Sequence, residues 1–553
     1  MRPAIAPRIR SLLAALVMLA PALASAQDAD TDRVDRFFTE KVEEDQSKTV
    51  VQGSLTASTF VSQEIGDSIQ PDTVELADNA SPVPRVFTDL RARLGVRSIA
   101  GGALDARVDA RLRYVLPCTF ETGQTDANQG LRDYDQCRTQ SGSFGGNEFE
   151  VRELYATRAA GELDIYAGRV IVGEIAATKI DGVRADYRVS DQWSIIGFGG
   201  LYPNRISRSV LDDYLGPEPL DPNQSRAFVL PVAVGAGGAY RYSDYFGSVG
   251  AAGIIPVTES VGDLPRTFVT SNGYWRPSPL LDLYHFAVID VTGEATDEVI
   301  DRFTNVSIGA NIKPTADLRV TAALHQFSTE TLEEYAVERL DQVPEQGRIL
   351  NHVEVLRVST QSARVGVSLA LMEKRFEIST EFTVRRHPPE TVGGGESETF
   401  EAISGEAMLA VVDRRSIGGL RLGARVANSF GLYDLGLGDD AYGRANFLLG
   451  RIDASRSFMS NRVQVDADVT YLRSQDAGDN DCNNNGLACY GATSAVNTIT
   501  LGTTVFYRFL PDWFAMLTFN GGLQQFDAAP VQNMDETGSN ILLSGFLRAA
   551  YRF

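Results

Sequence analysis

The stretch RVFTDLRARLGVRSIAGGALDARVDARLRYVL, residues 85–116, separates into two sequences when read in alternate positions. The odd positions are Arg85, Phe87, Asp89, Arg91, Arg93, Gly95 and Arg97, then, past a turn at Ile99-Ala100-Gly101, Ala103, Asp105, Arg107, Asp109, Arg111 and Arg113. The even positions are Val86, Thr88, Leu90, Ala92, Leu94 and Val96, then Leu104, Ala106, Val108, Ala110, Leu112, Tyr114 and Leu116. A period of two places these sets on opposite faces of a sheet. One face is almost wholly apolar; the other is crowded with guanidinium and carboxylate groups. In a soluble sandwich the charged face looks at bulk water. In an outer-membrane barrel the apolar face meets lipid and the charged face lines a wet lumen.

Working outward, residues 1–26 read as a secretory signal. Arg2, Arg8 and Arg10 form the charged end, Leu12 to Ala20 the apolar run, and Ala24-Ser25-Ala26 a small-residue cleavage site. The apolar run is shorter than the ~20 residues a spanning helix needs. No later run of that length follows, so no transmembrane helix is expected. The mature chain, from Gln27, carries 48 basic and 72 acidic residues, a net charge of −24. An exported chain so acidic is not a nucleic-acid binder by electrostatics. Residues 27–48 are polar and acidic and form a periplasmic segment, either one short helix through Val34, Phe37, Phe38 and Val42 or an unstructured leader.

From Thr49 to Phe553 the pattern is strand after strand. Twenty-two candidates start near residues 49, 85, 102, 147, 162, 178, 192, 226, 245, 265, 280, 302, 317, 351, 375, 399, 418, 441, 462, 494, 512 and 540, with 18 to 22 as the range. Links after even-numbered candidates are short: Gly161, Ser190-Asp191, Ser243-Asp244, Pro314-Thr315-Ala316 and Leu510-Pro511. Links after odd-numbered candidates are often long and polar, as at 63–84, 117–146, 202–225, 329–350 and 475–493. Short turns on one rim and long loops on the other are the bacterial outer-membrane arrangement. Three short turns place Asp191, Asp244 or Asp512 between aromatics; Asp suits the turn and the aromatics suit an interface girdle. The last strand alternates Ile541, Leu543, Gly545, Leu547, Ala549, Tyr551 and Phe553 with a polar face. An end in Tyr551 and Phe553 resembles the signal read by the barrel-assembly machinery. The expected fold is therefore all-β: a transmembrane antiparallel up-and-down barrel integral to the outer membrane of a Gram-negative bacterium and in contact with its lipid.

The lumen can be read from the same alternation. If residue sums of 200 mark opposed positions in the opening hairpin, Arg91 faces Asp109 and Asp89 faces Arg111, favourable neighbours across strands. Arg85, Arg93, Arg97, Arg107 and Arg113 remain in excess over Asp105. Arg184 and Arg188, with Asp186, extend the basic tone, while Arg375, Glu377, Glu381, Arg385, Arg421, Arg425, Arg462, Asp466 and Asp468 make a mixed wall elsewhere. The acidic excess sits in loops 70–79, 290–301 and 329–345. Such a wall is either a selectivity path for an anionic or polyhydroxylated solute or a salt-bridged lining that only stabilises a barrel. Strands near 147 and 162 break the pattern: Glu153 and Arg169 fall among apolar odd positions. Either they form one ion pair on the outer face, at a contact between protomers, or a bulge turns them inward.

Other chemistry is sparse. Cys118 with Cys137, and Cys482 with Cys489, lie in polar segments and read as two local disulfides in an oxidising compartment; no His lies near either pair to suggest zinc. Asp476, Asp479, Asp481 and Asn483 resemble part of a calcium loop, but Asn484 stands at the glycine position and no bidentate Glu follows. His285, His325, His352 and His387 sit in no hydrolase pattern. No metal, cofactor or enzymatic site is expected, and His325 is expected to face the lumen. Only about 22 residues separate the signal from the first strand, too few for an internal plug domain.

Glu150-Val151-Arg152-Glu153-Leu154-Tyr155, then Tyr166-Ala167-Gly168-Arg169, then Asp181-Gly182-Val183-Arg184, resembles the spacing of Arg/Tyr, Gly-Arg and Asp-Gly elements in alginate-export-type outer-membrane barrels. The resemblance covers about 40 residues, and Val170 stands where the family often has Gln. It implies a single-chain barrel whose Arg- and Asp-lined lumen passes an acidic polysaccharide outward, with Arg152 and Arg184 among the lining residues. Two functions therefore compete. A channel, porin-like or exporting, is expected to have an open lumen, with the 117–146 loop either constricting a porin or gating an exporter and, for an exporter, a periplasmic partner. A non-conducting barrel anchoring an adhesion, motility or secretion complex is expected to have a filled lumen and lipoprotein partners.

Overall fold

The computed structural model describes residues 48–66, 85–115, 148–203, 209–211, 213–214, 228–256, 266–292, 303–332, 355–387, 391–392, 397–398, 402–415, 419–434, 442–477, 494–527 and 537–553. The strands are β1 (Val50–Gly66), β2 (Arg85–Arg97), β3 (Leu104–Val115), β4 (Glu148–Ala160), β5 (Leu163–Val172), β6 (Thr178–Arg188), β7 (Trp193–Leu201) and β8 (Pro231–Arg241). They continue as β9 (Tyr245–Pro256), β10 (Arg266–Ser278), β11 (Leu281–Thr292), β12 (Phe303–Ile312), β13 (Leu318–Leu332), β14 (Val355–Leu371), β15 (Phe376–His387), β16 (Thr391–Val392) and β17 (Ser397–Glu398). The chain ends with β18 (Ala402–Asp413), β19 (Arg421–Asp434), β20 (Tyr442–Phe458), β21 (Val463–Ala477), β22 (Ser494–Leu510), β23 (Trp513–Asp527) and β24 (Thr537–Arg552). β16 and β17 pair only with each other; the other 22 strands form one antiparallel sheet. Each begins within five residues of its expected start.

The sheet closes on itself. β1 pairs with β24 from Ser54 opposite Arg552 to Gly66 opposite Asn540. Gly53 and Phe553 exchange both backbone bonds, 2.8 and 3.1 Å. Closure removes the unpaired edge that an open sheet of amphipathic strands would present. Of the described residues, 48–50 and the turn at 98–103 form a smaller unit. Within it Thr49 Oγ1 donates to the Ser98 carbonyl and accepts from the Ala100 N–H, both at 3.1 Å.

Side chains sort as the period of two requires. Leu90, Leu112, Leu154, Val183, Val234, Val249, Leu324, Val426, Ile452, Leu517 and Leu547 face outward and are exposed. So continuous an apolar exterior belongs in lipid. No helix of the described residues is long and apolar enough to cross a membrane; the crossing is made by strands. At the short-turn rim an aromatic row runs through Trp193, Tyr240 and Tyr245, with ring centroids 5.2 and 4.8 Å apart. A second row runs through Phe509, Trp513, Tyr551 and Phe553 at 5.9, 4.5 and 5.4 Å. These rings suit the headgroup level. The protein is an integral outer-membrane β-barrel of the Gram-negative type.

The expected sorting of connections holds with one exception. The links at 161–162, 189–192, 242–244, 279–280, 313–317, 372–375, 459–462 and 511–512 are short and lie on one rim. On the other rim, the β5–β6 connection is only five residues, 173–177. The signal segment, residues 27–47, all four Cys, the 117–146 loop and the calcium-like stretch beyond Ala477 lie outside the described residues.

Phe553 supplies the last backbone pair of the closing seam and the end of an aromatic row. Its deletion is expected to lower the amount of assembled barrel, read as the heat-modifiable band in outer-membrane fractions. An unchanged band would contradict this role for the terminus.

Candidate functional site

The opening hairpin folds as expected, with a register shifted by two. Asp89 stands opposite Arg113, Arg91 opposite Arg111, Arg93 opposite Asp109 and Gly95 opposite Arg107, so the sum is 202, not 200. The reversal is centred on Gly101, one residue beyond Ala100, in a turn where Ser98, Ala100 and Gly101 all take positive φ. The expected ion pairs nevertheless form, because they are diagonal neighbours. Arg91 grips Asp109 with Nε and Nη2 at 3.0 and 2.8 Å, and Arg111 Nε lies 3.3 Å from Asp89. Arg93 also reaches Asp109, at 3.3 Å. Arg113 grips Asp89 with Nε and Nη2 at 2.8 and 3.1 Å while its guanidinium lies over the Phe87 ring, 4.5 Å from the centroid.

β4 adds carboxylates that alternation alone did not assign to this ladder. The β3–β4 ladder slips between Asp109 and Ala110: Asp109 faces Glu153 and Ala110 faces Val151, leaving Arg152 as the bulged residue. The extra residue reverses the parity of β4. Before the bulge Phe149 is exposed; after it Leu154 is. Glu148, Glu150 and Glu153 consequently all face inward. Glu148 meets Arg111 at 3.5 Å and Arg113 at 3.9 Å, Glu150 meets Arg111 at 3.4 Å, and Glu153 meets Arg107 at 2.7 Å. Arg152 itself donates to Glu150, 2.9 Å.

The two readings of Glu153 and Arg169 therefore each describe one residue. The bulge turns Glu153 inward. Arg169 faces Asp181 across the β5–β6 ladder, on the face that carries Ala167 and Val183. It holds Asp181 at 2.5 Å and Asp213 at 2.6 Å, so the expected direct pair between Glu153 and Arg169 is replaced. The cause lies in β5. Gly168 has φ +127, the β4–β5 ladder ends at Leu154 opposite Arg169, and Arg169 Nη1 donates to the Val151 carbonyl at 3.0 Å. Val210, from the β7–β8 connection, donates its N–H to the Phe149 carbonyl at 2.8 Å, satisfying β4 where β5 has left it. Tyr214 of the same connection donates to Asp181, 2.5 Å.

The ladder of Arg91, Arg93, Arg107, Arg111 and Arg113 against Asp89, Asp109, Glu148, Glu150 and Glu153 is thus balanced, five against five. The wider wall is not. From β24 through β1 to β4, the described inward side chains together with Arg152 also include Arg97, Arg548, Arg552 and Asp105, giving nine arginines and six carboxylates. Around the remainder of the barrel the charges are mixed as expected: Arg364 lies 3.8 Å from Glu381, Arg385 3.1 Å from Glu406, Arg421 3.4 Å from Asp453 and Arg451 3.2 Å from Asp468.

A second feature of the lumen was not expected. The short β5–β6 connection folds onto the inner wall. Ile175 is fully buried in a cluster of inward residues from β5 to β11: Val170, Val172, Ile180, Ile196, Phe198, Ala233, Ala252, Phe268 and Val288. It lies against Gly237 and Gly250, where an added Cβ would meet it at 3.1 and 2.8 Å. Burying one Ile contributes roughly 1.5–3 kcal/mol. Ala176 and Ala177 adopt φ of 51 and 52, a left-handed conformation costing about 1–2 kcal/mol per residue. Polar tethers offset that cost. Arg184 grips Asp186 at 2.8 and 2.7 Å and donates to Glu174 at 3.0 Å, with its guanidinium 5.2 Å from the centroid of the Tyr166 ring. Ser248 Oγ donates to the Glu174 carbonyl, 2.8 Å. Arg184 therefore lies on the lumen side, as expected, but is covered at 8% exposure and serves as a tether. The signal was present in the chain: Val170-Ile171-Val172 and Ile195-Ile196 are apolar on both faces where a simple barrel strand would alternate.

Ser271 Oγ and His285 Nε2 lie 2.9 Å apart. Ladder parity puts both on the outward face with Val269. No carboxylate or amide among the described contacts orients the other ring nitrogen, so the pair is two polar groups satisfying each other against lipid.

No family model matches the chain, and no curated protein matches it in sequence. Among solved structures it is similar to OccAB1 of Acinetobacter baumannii, at 9% identity over 92% of this chain and 99% of that one, with a TM-score of 0.36. It is also similar to the outer-membrane channel DcaP of Acinetobacter baumannii, at 10% identity over 92% and 97%, TM-score 0.29. A structure described as a bacterial polysaccharide outer membrane secretin matches at 13% identity over 61% and 95%, TM-score 0.29.

The tether makes the β5–β6 connection dependent on Arg184. The Ile175 and Thr178 amides, bonded to Val172 and Ile175 carbonyls at 3.2 and 3.0 Å, are expected to be protected from hydrogen exchange. Arg184→Gln is expected to speed their exchange by about ten-fold, because it leaves Glu174 and Asp186 without their partner. Unchanged protection would mean that the apolar seat of Ile175 holds the segment alone.

Proposed function

We propose that the barrel is a channel, not an enzyme, and that anionic or polyhydroxylated solutes pass along the arginine-bearing wall formed by β24 and β1 to β4. The observation that carries this reading is the excess of nine arginines over six carboxylates among the described side chains of that one wall, in a chain whose formal net charge is −21. A protein so acidic overall gathers arginine on one luminal face only where a local positive potential has a use. The pairing of most of those arginines keeps the potential modest. A solute can enter such a site and still leave it, which conduction requires. The resemblance of residues 150–184 to alginate-export-type barrels extends the proposal to acidic polysaccharide as one solute of this class.

Replacing Arg91, Arg93, Arg107 and Arg111 together by Gln leaves five arginines against six carboxylates among the described side chains of the wall. The reversal potential across a planar bilayer under a salt gradient is expected to move from the anion toward the cation side, with insertion unaffected. An unchanged reversal potential would show that this wall does not set selectivity. A barrel that inserts well and carries no current in either form would favour the non-conducting anchor.

A further inference from the structure

We infer that three consecutive turns of the short-turn rim, those joining β14 to β15, β18 to β19 and β20 to β21, form a docking surface for an acidic periplasmic protein. Short turns open on the periplasm in a barrel of this type. Strand alternation puts the β18–β19 link on that rim too, where the Arg414 N–H donates to the Arg375 carbonyl at 2.9 Å. Charge inverts around the rim. The described residues of the links 372–375, 414–420 and 459–462 include Lys374, Arg375, Arg414, Arg415 and Arg462 against Glu373. The links at 161–162, 189–192, 242–244, 279–280, 313–317 and 511–512 carry Glu162, Asp191, Asp244, Asp317 and Asp512 against Lys313. One arc thus has five bases and one acid, and the other links five acids and one base, in a chain whose formal net charge is −21.

The barrel neutralises only part of that arc. Arg375 gives Nε and Nη2 to Asp413, both at 3.3 Å, and Arg414 pairs with Glu377. Lys374, Arg415 and Arg462 are exposed and meet no carboxylate among the described residues. Exposed charge of one sign steers an oppositely charged partner to the surface. Two methionines add apolar contact. Met372 and Met459 are each 72% exposed, more open than Val189 or Leu280 on the other links. They open turns of one conformation: φ is 50, 56 and 65 over residues 372–374, and 51, 54 and 66 over residues 459–461. The Arg375 N–H closes the first on the Met372 carbonyl at 3.1 Å, and the Arg462 N–H closes the second on the Met459 carbonyl at 3.2 Å. A tight reversal accounts for the positive φ, which Gly or Asn adopts more readily. It does not account for methionine at the start of both. Methionine is the adaptable apolar side chain of protein-binding surfaces.

Position favours a protein over the lipid surface as the occupant. Phe458 ends β20 on the outward, lipid-facing side, with the Arg456 guanidinium 5.0 Å from its ring centroid, a pair suited to the headgroup level. Met459 and Arg462 follow on the link, past that ring. The four strands β15, β18, β19 and β20 separate the two methionine turns, about 20 Å at the usual strand spacing. That is the breadth of a protein contact, not of one small ligand. An acidic face with apolar recesses matches the three unpaired cations and the two methionines together.

The test uses the full-length barrel in its native bacterium, with Met372, Met459 or, as the control link, Leu280 replaced by the photo-reactive p-benzoylphenylalanine. Irradiation is expected to give one discrete adduct with an acidic periplasmic protein from positions 372 and 459, and none from 280. Lys374→Glu, Arg415→Glu and Arg462→Glu together are expected to lower that adduct about ten-fold, with the heat-modifiable band of the assembled barrel unchanged. Lys374→Arg, Arg415→Lys and Arg462→Lys, which keep the charge, are expected to retain it. Should the charge-reversed variant assemble poorly, the wild-type barrel and the cross-linked protein, both purified, give the same readout: binding is expected to weaken about ten-fold between roughly 50 and 500 mM salt. Adducts with phospholipid in place of protein would assign the arc to the membrane surface and overturn the proposal. So would the absence of a protein adduct at both methionine positions, an equal adduct at 280, or an adduct indifferent to charge reversal or, for the purified pair, binding indifferent to salt.

Discussion

In hydrocarbon there is no water to satisfy a backbone N–H or C=O, so every strand needs a neighbour on both sides. That constraint makes the β1–β24 seam the condition for everything else. It also forces each strand to expose one face to lipid and the other to the lumen. The alternation in residues 85–116 is the chemical record of that division. Once the outer face is committed to Leu, Val and Ile, all the charge in those strands must share the lumen. Arginine and carboxylate then lie within contact distance of each other whatever the protein does. Function has to be sought in how they are arranged beyond mere pairing.

Two departures from regular pleating supply that arrangement. The bulge at Arg152 costs one ladder position and brings Glu148, Glu150 and Glu153 against the arginines of β3. The positive φ of Gly168 ends the β4–β5 ladder, and the wall is completed there by the β7–β8 connection. Beyond that break the inner wall changes character, from guanidinium and carboxylate to the apolar cluster that seats Ile175. The lumen thus has a polar side lined by paired arginines and carboxylates and another side thickened by an inward segment that carries the positive-φ residues Ala176 and Ala177 and is held by the Arg184 tether.

Much of this was legible in the chain. Strand number, the face of nearly every residue and the rim of the short turns other than 173–177 follow from a period of two and from turn chemistry, which act locally. Register did not follow. A slip of two residues keeps every side chain on its own face, so the hydrophobic pattern is blind to it, and only the conformation of Ser98 and Ala100 decides. The parity of Glu153 was left open for the same reason: a bulge reverses the faces without changing composition. The inward segment was missed because expectation attached constriction to the long 117–146 loop. A five-residue link between strands apolar on both faces was the better indicator, since an apolar lumen face must be covered by something.

The central claim is that the lumen is open and that its β24-to-β4 wall gives it a positive bias. Single-channel recording of the purified wild-type protein in a planar bilayer, with the reversal potential read under a salt gradient, tests it most directly. A steady current with reversal on the anion side is the predicted result. Well-inserted protein that passes no current, or a current selective for cations, would contradict it.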